Sequence, residues 1–140
     1  MRRRASGVVP SGAGIVIRIL LVDRDVVVAA MYRLGLEQEG FEVDEERSAV
    51  AMYGSITAST SAIVMEWEDL GGSGPEILRR VRRSVSAKSL PILILTNRDG
   101  DIERLSELAA EAGAQIWLVK AHTTPSELAT QIRSALDRVA

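Results

Sequence analysis

The sequence predicts an α/β fold in which a parallel sheet is covered by helices on both faces. Two observations lead to this prediction. Five short runs of apolar and β-branched residues alternate with five segments of helical periodicity, joined by short connections. Two of the runs, residues 62–65 and 90–95, are apolar at almost every position instead of alternating, which is typical of strands buried on both faces.

The composition is that of one globular domain and disfavours several classes of function. The chain has 140 residues and a net charge of −2, with 46% of its residues hydrophobic and 26% charged. This balance argues against a general binder of nucleic acids or membrane surfaces. No cysteine is present, which excludes disulfides, a thiolate metal site and a cysteine nucleophile. We therefore expect a cytoplasmic protein without a membrane-spanning segment.

The first fourteen residues are predicted to differ from the rest of the chain. They contain three arginines together with Pro10, Gly12 and Gly14, and they lack the apolar segment of a secretion signal. Residues 1–14 are predicted to form a flexible basic tail, and residues 15–140 a folded domain.

The first half of the domain alternates strand, helix, strand and helix. Residues 15–22 are apolar except for Arg18 and predict the first strand. The first helix is expected to run to Glu39, with an inner face that includes Val28, Met31 and Leu34 or Gly35. Residues 41–45 alternate as a half-exposed edge strand does, and residues 48–59 predict a weak helix.

The third helix begins after the apolar strand 62–65. Ser73 and Glu76 bracket Pro75 in the manner of a capping box, and Ile77 and Val81 follow at a four-residue step. This pattern predicts a helix start at Ser73.

The last part of the chain has the same organisation. Residues 102–112 form a helical stripe, and residues 115–119 predict the fifth strand. Thr124, Pro125 and Glu127 form a capping box ahead of a final amphipathic helix.

Together these elements predict a three-layer, doubly wound (βα)5 sandwich with the flavodoxin-like strand order 2-1-3-4-5. This order brings the ends of the first, third, fourth and fifth strands to one edge of the sheet. The polar residues at those four ends are Asp23, Glu66, Thr96 and Lys120. Open α/β sheets bind ligands outside the carboxyl ends of their strands, so these residues predict a functional site.

Four segments of the chain match the pattern of a known family. They are Leu20-Leu-Val-Asp-Arg-Asp25, Ile63-Val-Met-Glu-Trp67 with Gly74 eight residues after Glu66, Pro91-Ile-Leu-Ile-Leu-Thr96, and Gly113-Ala-Gln-Ile-Trp-Leu-Val-Lys120. In order and spacing the chain resembles the receiver domains of bacterial response regulators. The resemblance implies a phosphoacceptor aspartate after the third strand and an acidic pair that helps to hold Mg²⁺ after the first. It also implies that Thr96 and Lys120 occupy the positions that contact phosphoryl oxygens.

Glu66 stands where the resemblance implies the phosphoacceptor aspartate. Its extra methylene moves the carboxylate by about one ångström, a displacement that can cost on the order of 10²-fold in rate. We therefore expect little phosphotransfer at Glu66, and expect its carboxylate to reach toward Thr96 and Lys120. It supplies about one negative charge where a phosphoryl group supplies about −1.5 to −2. Asp69 is a second candidate acceptor, although its spacing to Gly74 does not fit the pattern.

Arg24 falls at the second position of the acidic pair and leaves Asp23 as the only match. A guanidinium opposes a divalent cation, so we expect Mg²⁺ binding to be weak or absent and no other cofactor to be required. Asp23 would be the remaining ligand, with Glu66 and Glu68 as residual ones. Arg24 is expected to pair with Glu66 or Asp23 in place of the metal, and the alternative is that it points into solvent.

Two further positions carry expectations from the resemblance. Ala121 replaces a proline that usually follows the lysine through a cis bond, and a cis bond to a non-proline residue costs about 3–4 kcal/mol. We therefore predict a trans Lys120-Ala121 bond and an altered loop. Trp117 matches an aromatic position that reorients on activation, and Trp67 is explained equally well by packing or by an exposed contact.

These features predict an atypical receiver domain, not an enzyme, that signals by phosphorylation-independent binding to another protein. The expected partner is a signalling protein or a histidine kinase. The resemblance implies contact, including a homodimer, through the fourth helix, fifth strand and fifth helix, and we expect no direct binding to nucleic acid or membrane. The alternative is a working Mg²⁺-dependent phosphoacceptor. A nucleotide or flavin site is disfavoured, because the turn at residues 23–25 places carboxylates where phosphates would sit.

Overall fold

The computed structural model describes residues 15–84 and 87–139, so the predicted tail, residues 1–14, lies outside the described residues. Five parallel strands form one sheet in the order β2-β1-β3-β4-β5, as the sequence predicts. The strands are β1 (Arg18–Val22), β2 (Glu42–Glu46), β3 (Ala62–Met65), β4 (Ile92–Thr96) and β5 (Ile116–Val119). The edge position predicted for the second strand is confirmed.

Helices cover both faces of the sheet and complete the predicted three layers. They are α1 (Val26–Gln38), α2 (Ala49–Ser55), α3 (Gly74–Arg83), α4 (Ile102–Ala112) and α5 (Pro125–Val139). The buried side chains of α1 and α5 share one hydrophobic core, whereas those of α2, α3 and α4 share a second core on the opposite face. No helix of the described residues is long and apolar enough to cross a membrane.

Strand register brings the carboxyl ends of the inner strands to one level. Val22 lies opposite Met65, and Met65 lies opposite Ile94 in the parallel ladder. The amide of Glu66 then donates to the carbonyl of Val22 at 3.0 Å. The residues that follow β1 and β3 are therefore neighbours at the same edge of the sheet.

Both predicted helix starts are capped, and the capping box at α5 is complete. Ser73 Oγ accepts a hydrogen bond from the amide of Glu76 at 3.2 Å at the start of α3. At the start of α5, the Thr124 amide donates to Glu127 Oε1 at 2.7 Å, and the Glu127 amide donates to Thr124 Oγ1 at 3.1 Å. These reciprocal bonds satisfy amides that have no partner within the helix.

The predicted inner face of α1 is right for Val28 and Gly35 and wrong for Met31 and Leu34. Val28 packs against the core shared with α5, and a methyl group at Gly35 would lie 2.3 Å from Pro125. Met31 and Leu34 are exposed, and the buried face is formed by Ala29, Tyr32 and Leu36. The helix is apolar on almost every side, so its periodicity does not select one face. A tertiary contact does select it, because the Tyr32 hydroxyl donates to the carbonyl of Thr123 at 2.7 Å in a buried position.

Two predicted boundaries also shift. The first strand begins at Arg18, not at residue 15, and the second helix ends at Ser55, not at residue 59. The amide of Arg18 donates to the side chain of Ser61 just before β3 begins, so pairing starts where the neighbouring strand becomes available.

Candidate functional site

The side chain of Lys120 lies between two buried carboxylates at the carboxyl edge of the sheet. Its Nζ is 2.5 Å from Asp23 Oδ2 and 3.0 Å from Glu66 Oε2. The side chains of Lys120 and Asp23 are each 6% exposed, and the side chain of Glu66 is 7% exposed. We call Asp23, Glu66 and Lys120 the ion cluster. One ammonium therefore forms ion pairs with two carboxylates, so the formal charge of the ion cluster is about −1.

Burial and ion pairing act in opposite directions on the pKa of Lys120. Burial lowers this pKa, because the charged ammonium loses water. The charges of Asp23 and Glu66, both at ion-pair distance, together outweigh burial, so the pKa lies above its usual value. Lys120 is therefore a cation throughout the physiological pH range.

Both oxygens of Glu66 are engaged. Oε1 accepts a hydrogen bond from the amide of Trp67 at 2.6 Å, and Oε2 accepts one from the amide of Asn97 at 3.2 Å in addition to its contact with Lys120. As predicted, the carboxylate of Glu66 extends to Lys120. The hydrogen bond beyond β4 comes from the backbone of Asn97 and not from the side chain of Thr96, and the sequence offered no signal for it.

Thr96 is fully buried at the end of β4. Its hydroxyl oxygen accepts a hydrogen bond from the amide of Arg98 at 3.0 Å, which shapes the turn after the strand. Thr96 thus lies at the predicted edge of the sheet, but its hydroxyl oxygen binds an amide only two residues further along the chain.

The prediction that Arg24 pairs with Asp23 or Glu66 is wrong. Arg24 is exposed, and the cation that meets both carboxylates is Lys120. The remaining oxygen of Asp23 accepts a hydrogen bond from the amide of Asp25 at 2.9 Å, which turns the chain sharply before α1. This turn directs Asp23 inward while its neighbour Arg24 faces solvent.

The donor set at this edge does not fit Mg²⁺. An octahedral Mg²⁺ requires several oxygens, whereas Asp23 Oδ2 and Glu66 Oε2 both contact the ammonium of Lys120. The carboxylate of Glu68 points elsewhere and is paired with Arg98. Within residues 15–84 and 87–139, no group of three or more carboxylate or histidine side chains could hold a metal ion.

Asp69, the second candidate acceptor, lies in the exposed loop between β3 and α3. Its backbone has a φ of 65°, the left-handed conformation that aspartate tolerates better than most residues. Lys120 is paired with Asp23 and Glu66 and not with Asp69.

The loop after β5 differs from a cis-proline loop, as predicted. The Lys120-Ala121 bond is trans, and residues 120–122 form a short 3₁₀ turn. The Thr123 hydroxyl donates to the carbonyl of Val119 at 2.8 Å, and Tyr32 holds the Thr123 carbonyl. These contacts fix the loop that presents Lys120 to the site.

Two tryptophans connect the site to the surface of β5. Trp67 is buried and packs edge-on against Trp117, with ring centroids 5.2 Å apart and an interplanar angle of 67°. Trp117 is half-buried, and its indole nitrogen has no hydrogen-bond partner among the described atoms. Gly74 is required here, since a methyl group at this position would lie 2.4 Å from the Trp67 ring. Trp67 is therefore a packing residue.

Comparison with known proteins was made by family model, by sequence and by structure. No family model matches the chain. A Chloroflexus aurantiacus J-10-fl protein assigned as a response regulator is 33% identical, with a TM-score of 0.79, and the match covers 89% of this chain and 100% of that protein. A CheY-like receiver domain protein from Methanospirillum hungatei JF-1 has the same fold, with a TM-score of 0.78 and 22% identity over 89% of this chain and 97% of that one.

The similar curated sequences are also those of regulatory proteins. The phosphate regulon transcriptional regulatory protein PhoB of Rhizobium meliloti is 34% identical over 122 residues, which are 86% of this chain and 52% of PhoB. The alkaline phosphatase synthesis regulator SphR of Synechococcus elongatus is 33% identical over 94% of this chain and 53% of its own length. The chain thus spans about half the length of these relatives.

The strand order and the helices on both faces define a doubly wound, open α/β domain with two carboxylates at the carboxyl edge of its sheet. With the full-length match at 33% identity, the chain belongs to the response-regulator receiver-domain family of two-component signalling.

Proposed function

We propose that this chain is an atypical receiver domain that signals by binding another protein without a phosphorylation cycle. The ion cluster carries this proposal. Lys120 already neutralises much of the charge of Asp23 and Glu66, and both oxygens of Glu66 are bonded. A phosphoryl donor would have to reach a carboxylate that is almost completely buried and doubly paired.

Glu66 has a structural role in this proposal. Its carboxylate bonds the amides that follow β3 and β4, so it ties the ends of two strands together with a permanent negative charge. The domain would then hold one conformation, and its output would depend on the partner and not on a phosphoryl group. We also propose that the protein is cytoplasmic and that it is not an enzyme.

The surface formed by α4, β5 and α5 is the proposed contact surface. The outer side of α4 carries an exposed acidic ridge at four-residue spacing, formed by Glu103, Glu107 and Glu111. None of the three has an ion pair among the described residues. Such a ridge favours a partner with a basic contact surface, which disfavours nucleic acid. The partner would be a signalling protein or histidine kinase, with a second copy as a further possibility at this surface.

A working phosphoacceptor is the alternative function. Thr96 and Lys120 occupy the two positions that contact phosphoryl oxygens in the family, and Lys120 is in contact with Glu66. In this case Lys120 would have to leave Asp23 so that Mg²⁺ could bind.

The experiment that separates the two functions is a titration with Mg²⁺ and then with acetyl phosphate. Trp67 is the reporter, because its amide is bonded to Glu66. The variant Trp117→Phe removes the second indole, whose nitrogen has no partner, and leaves a single tryptophan signal. Intact mass is measured after each addition.

We expect neither saturable quenching nor a phosphoryl mass gain. Glu66→Asp is the matched control, since it restores the shorter carboxylate and tests whether the rest of the site can support phosphorylation. A labile phosphoryl adduct on the chain with Glu66 intact would establish the alternative function and contradict ours.

A further inference from the structure

The strand β2 concentrates acidic side chains at one edge of the described sheet. Four of its five residues are acidic, and β2 is an edge strand. Two arginines of neighbouring elements pair with these carboxylates. Arg18 contacts Glu42 at 2.5 Å and Asp44 at 3.2 Å, and Arg33 contacts Glu45. Because the carboxylates of β2 outnumber these two arginines, the strand keeps an excess of negative charge.

Charges beside β2 do not remove this excess. Glu37 of α1 also pairs with Arg33, at 3.4 Å, whereas Arg47 follows the strand and is exposed. These two opposite charges cancel. Glu46, at the end of β2, accepts a hydrogen bond from the hydroxyl of Ser55 and has no ion pair among the described residues.

The distribution of charge along the chain complements this acidic edge. The chain has 17 basic and 19 acidic residues, and residues 1–14 contain three of the basic ones and none of the acidic ones. The three are consecutive, Arg2, Arg3 and Arg4. The charge that β2 lacks is thus gathered at the start of the same chain.

The chain enters the fold beside β2. The described residues begin at Ile15, and the amide of Glu42 donates to the carbonyl of Ile17 at 3.0 Å. Residues 1–14 are therefore attached near the amino end of β2. An extended chain spans at least about 3.3 Å per residue, so the distance from Arg4 to Ile15 can reach about 36 Å, whereas β2 is about 16 Å long. The three arginines can thus reach every carboxylate of β2.

We propose that residues 1–9 bind along the outer edge of β2, with their three arginines facing its carboxylates. Residues 10–14 contain one proline and two glycines, which favour the change of chain direction that this contact requires. An exposed ion pair shifts an equilibrium by only about 1.5–5-fold. The covalent link compensates for this weakness, because a short flexible linker gives an effective concentration on the order of millimolar.

The acidic ridge of α4 is the other described surface that could attract this basic segment, and its position disfavours it. Helix α4 packs against β5, at the opposite edge of the sheet from β2. Neighbouring strands lie about 4.8 Å apart, so the two edges of a five-stranded sheet are separated by about 19 Å. Binding at β2 therefore leaves the surface proposed above for a protein partner uncovered, and the two proposals can fail independently.

The test is paramagnetic relaxation of backbone amide signals in the full chain. The chain has no cysteine, so Ser6→Cys provides one site for a nitroxide label within the basic segment. We expect strong broadening along the whole of β2 and little at β5, on the opposite edge. Broadening that is no stronger at β2 than at β5 would overturn the proposal.

Charge-reversed variants separate binding from attachment, which by itself keeps the label near the amino end of β2. Asp44→Lys combined with Glu46→Lys should reduce the broadening along β2 at least about fivefold, because two attractions become repulsions. Glu107→Lys combined with Glu111→Lys on α4 changes the net charge equally and is the matched control, which should leave the broadening unchanged. An equal effect of the two double variants, or a loss of broadening in the control alone, would contradict binding at β2.

A change within the basic segment gives a second test that leaves the folded domain unaltered. Replacing Arg2, Arg3 and Arg4 together by serine should reduce the broadening along β2 by a similar factor. Salt at about 1 M should do the same in the unreplaced segment, since the Debye length falls to about 3 Å. Broadening along β2 that persists without the three arginines would overturn the proposal, whatever the β2 variant shows.

Discussion

Replacing Lys120 by methionine removes the one cation of the ion cluster while keeping most of the apolar stem. The Asp23 and Glu66 oxygens lie 2.5 Å and 3.0 Å from the same nitrogen, so they are at most 5.5 Å apart. Two unit charges at about 5.5 Å repel by about 3 kcal/mol at an effective dielectric constant of about 20. This agrees with the roughly 3–5 kcal/mol expected when one partner of a buried ion pair is removed.

The remaining hydrogen bonds place the expected loss near the lower end of that range. Glu66 keeps its bonds from two backbone amides, and Asp23 keeps the bond from Asp25. We therefore expect Lys120→Met to lower the free energy of unfolding by about 3 kcal/mol at pH 7.

Urea unfolding followed by circular dichroism measures this loss, with Glu66→Gln as the comparison. The glutamine leaves Lys120 and Asp23 as a neutral pair but offers one acceptor oxygen to the amides of Trp67 and Asn97, so its cost should be about 1–3 kcal/mol. The double variant should recover most of the loss caused by Lys120→Met alone, since it contains one buried carboxylate instead of two. If Lys120→Met is as stable as the unmodified chain at pH 7, or if the double variant is no more stable than Lys120→Met alone, the reasoning about the ion cluster is refuted.

The other predictions concern packing and alkaline pH. Gly74→Ala should cost about 1–3 kcal/mol of stability and change the emission of Trp67, because the new methyl would lie 2.4 Å from its ring. Gly72→Ala, whose methyl would make an ordinary contact, is the control and should change neither. Burial raises the pKa of Tyr32 above its usual 10.0, and the pKa of Lys120 lies above 10.5 because its two carboxylates outweigh burial. The stability these groups contribute is complete below about pH 10 and is lost as pH rises through the raised values, so melting temperature should fall above pH 10 and fall less in Lys120→Met. An equal fall in both proteins would contradict this account of Lys120.

The partial match of predicted and observed site residues has a physical explanation. Asp23, Glu66, Thr96 and Lys120 were found at one edge of the sheet because each directly follows or ends an apolar strand, and parallel strands end at the same edge. Which of them make contact could not be inferred in the same way. Contact depends on side-chain direction and on backbone amides such as that of Asn97, and neither leaves a pattern in the sequence.

The sequence by itself determined the order of the elements, the sheet topology and the caps of α3 and α5. These depend on short-range periodicity and on capping residues, which act within a few positions of the chain. It also determined that a glutamate follows β3 and that the residue after Lys120 is not a proline.

Only the tertiary structure decided which cation meets the carboxylates and which side of α1 is buried. Arg24 and Lys120 were both available by charge, but the turn after β1 directs Arg24 outward and the loop after β5 directs Lys120 inward. Likewise α1 is apolar on nearly every side, and the hydroxyl of Tyr32 selects its inner face through one bond to a distant carbonyl. Both choices depend on contacts between segments far apart in the chain, for which local pattern carries no information.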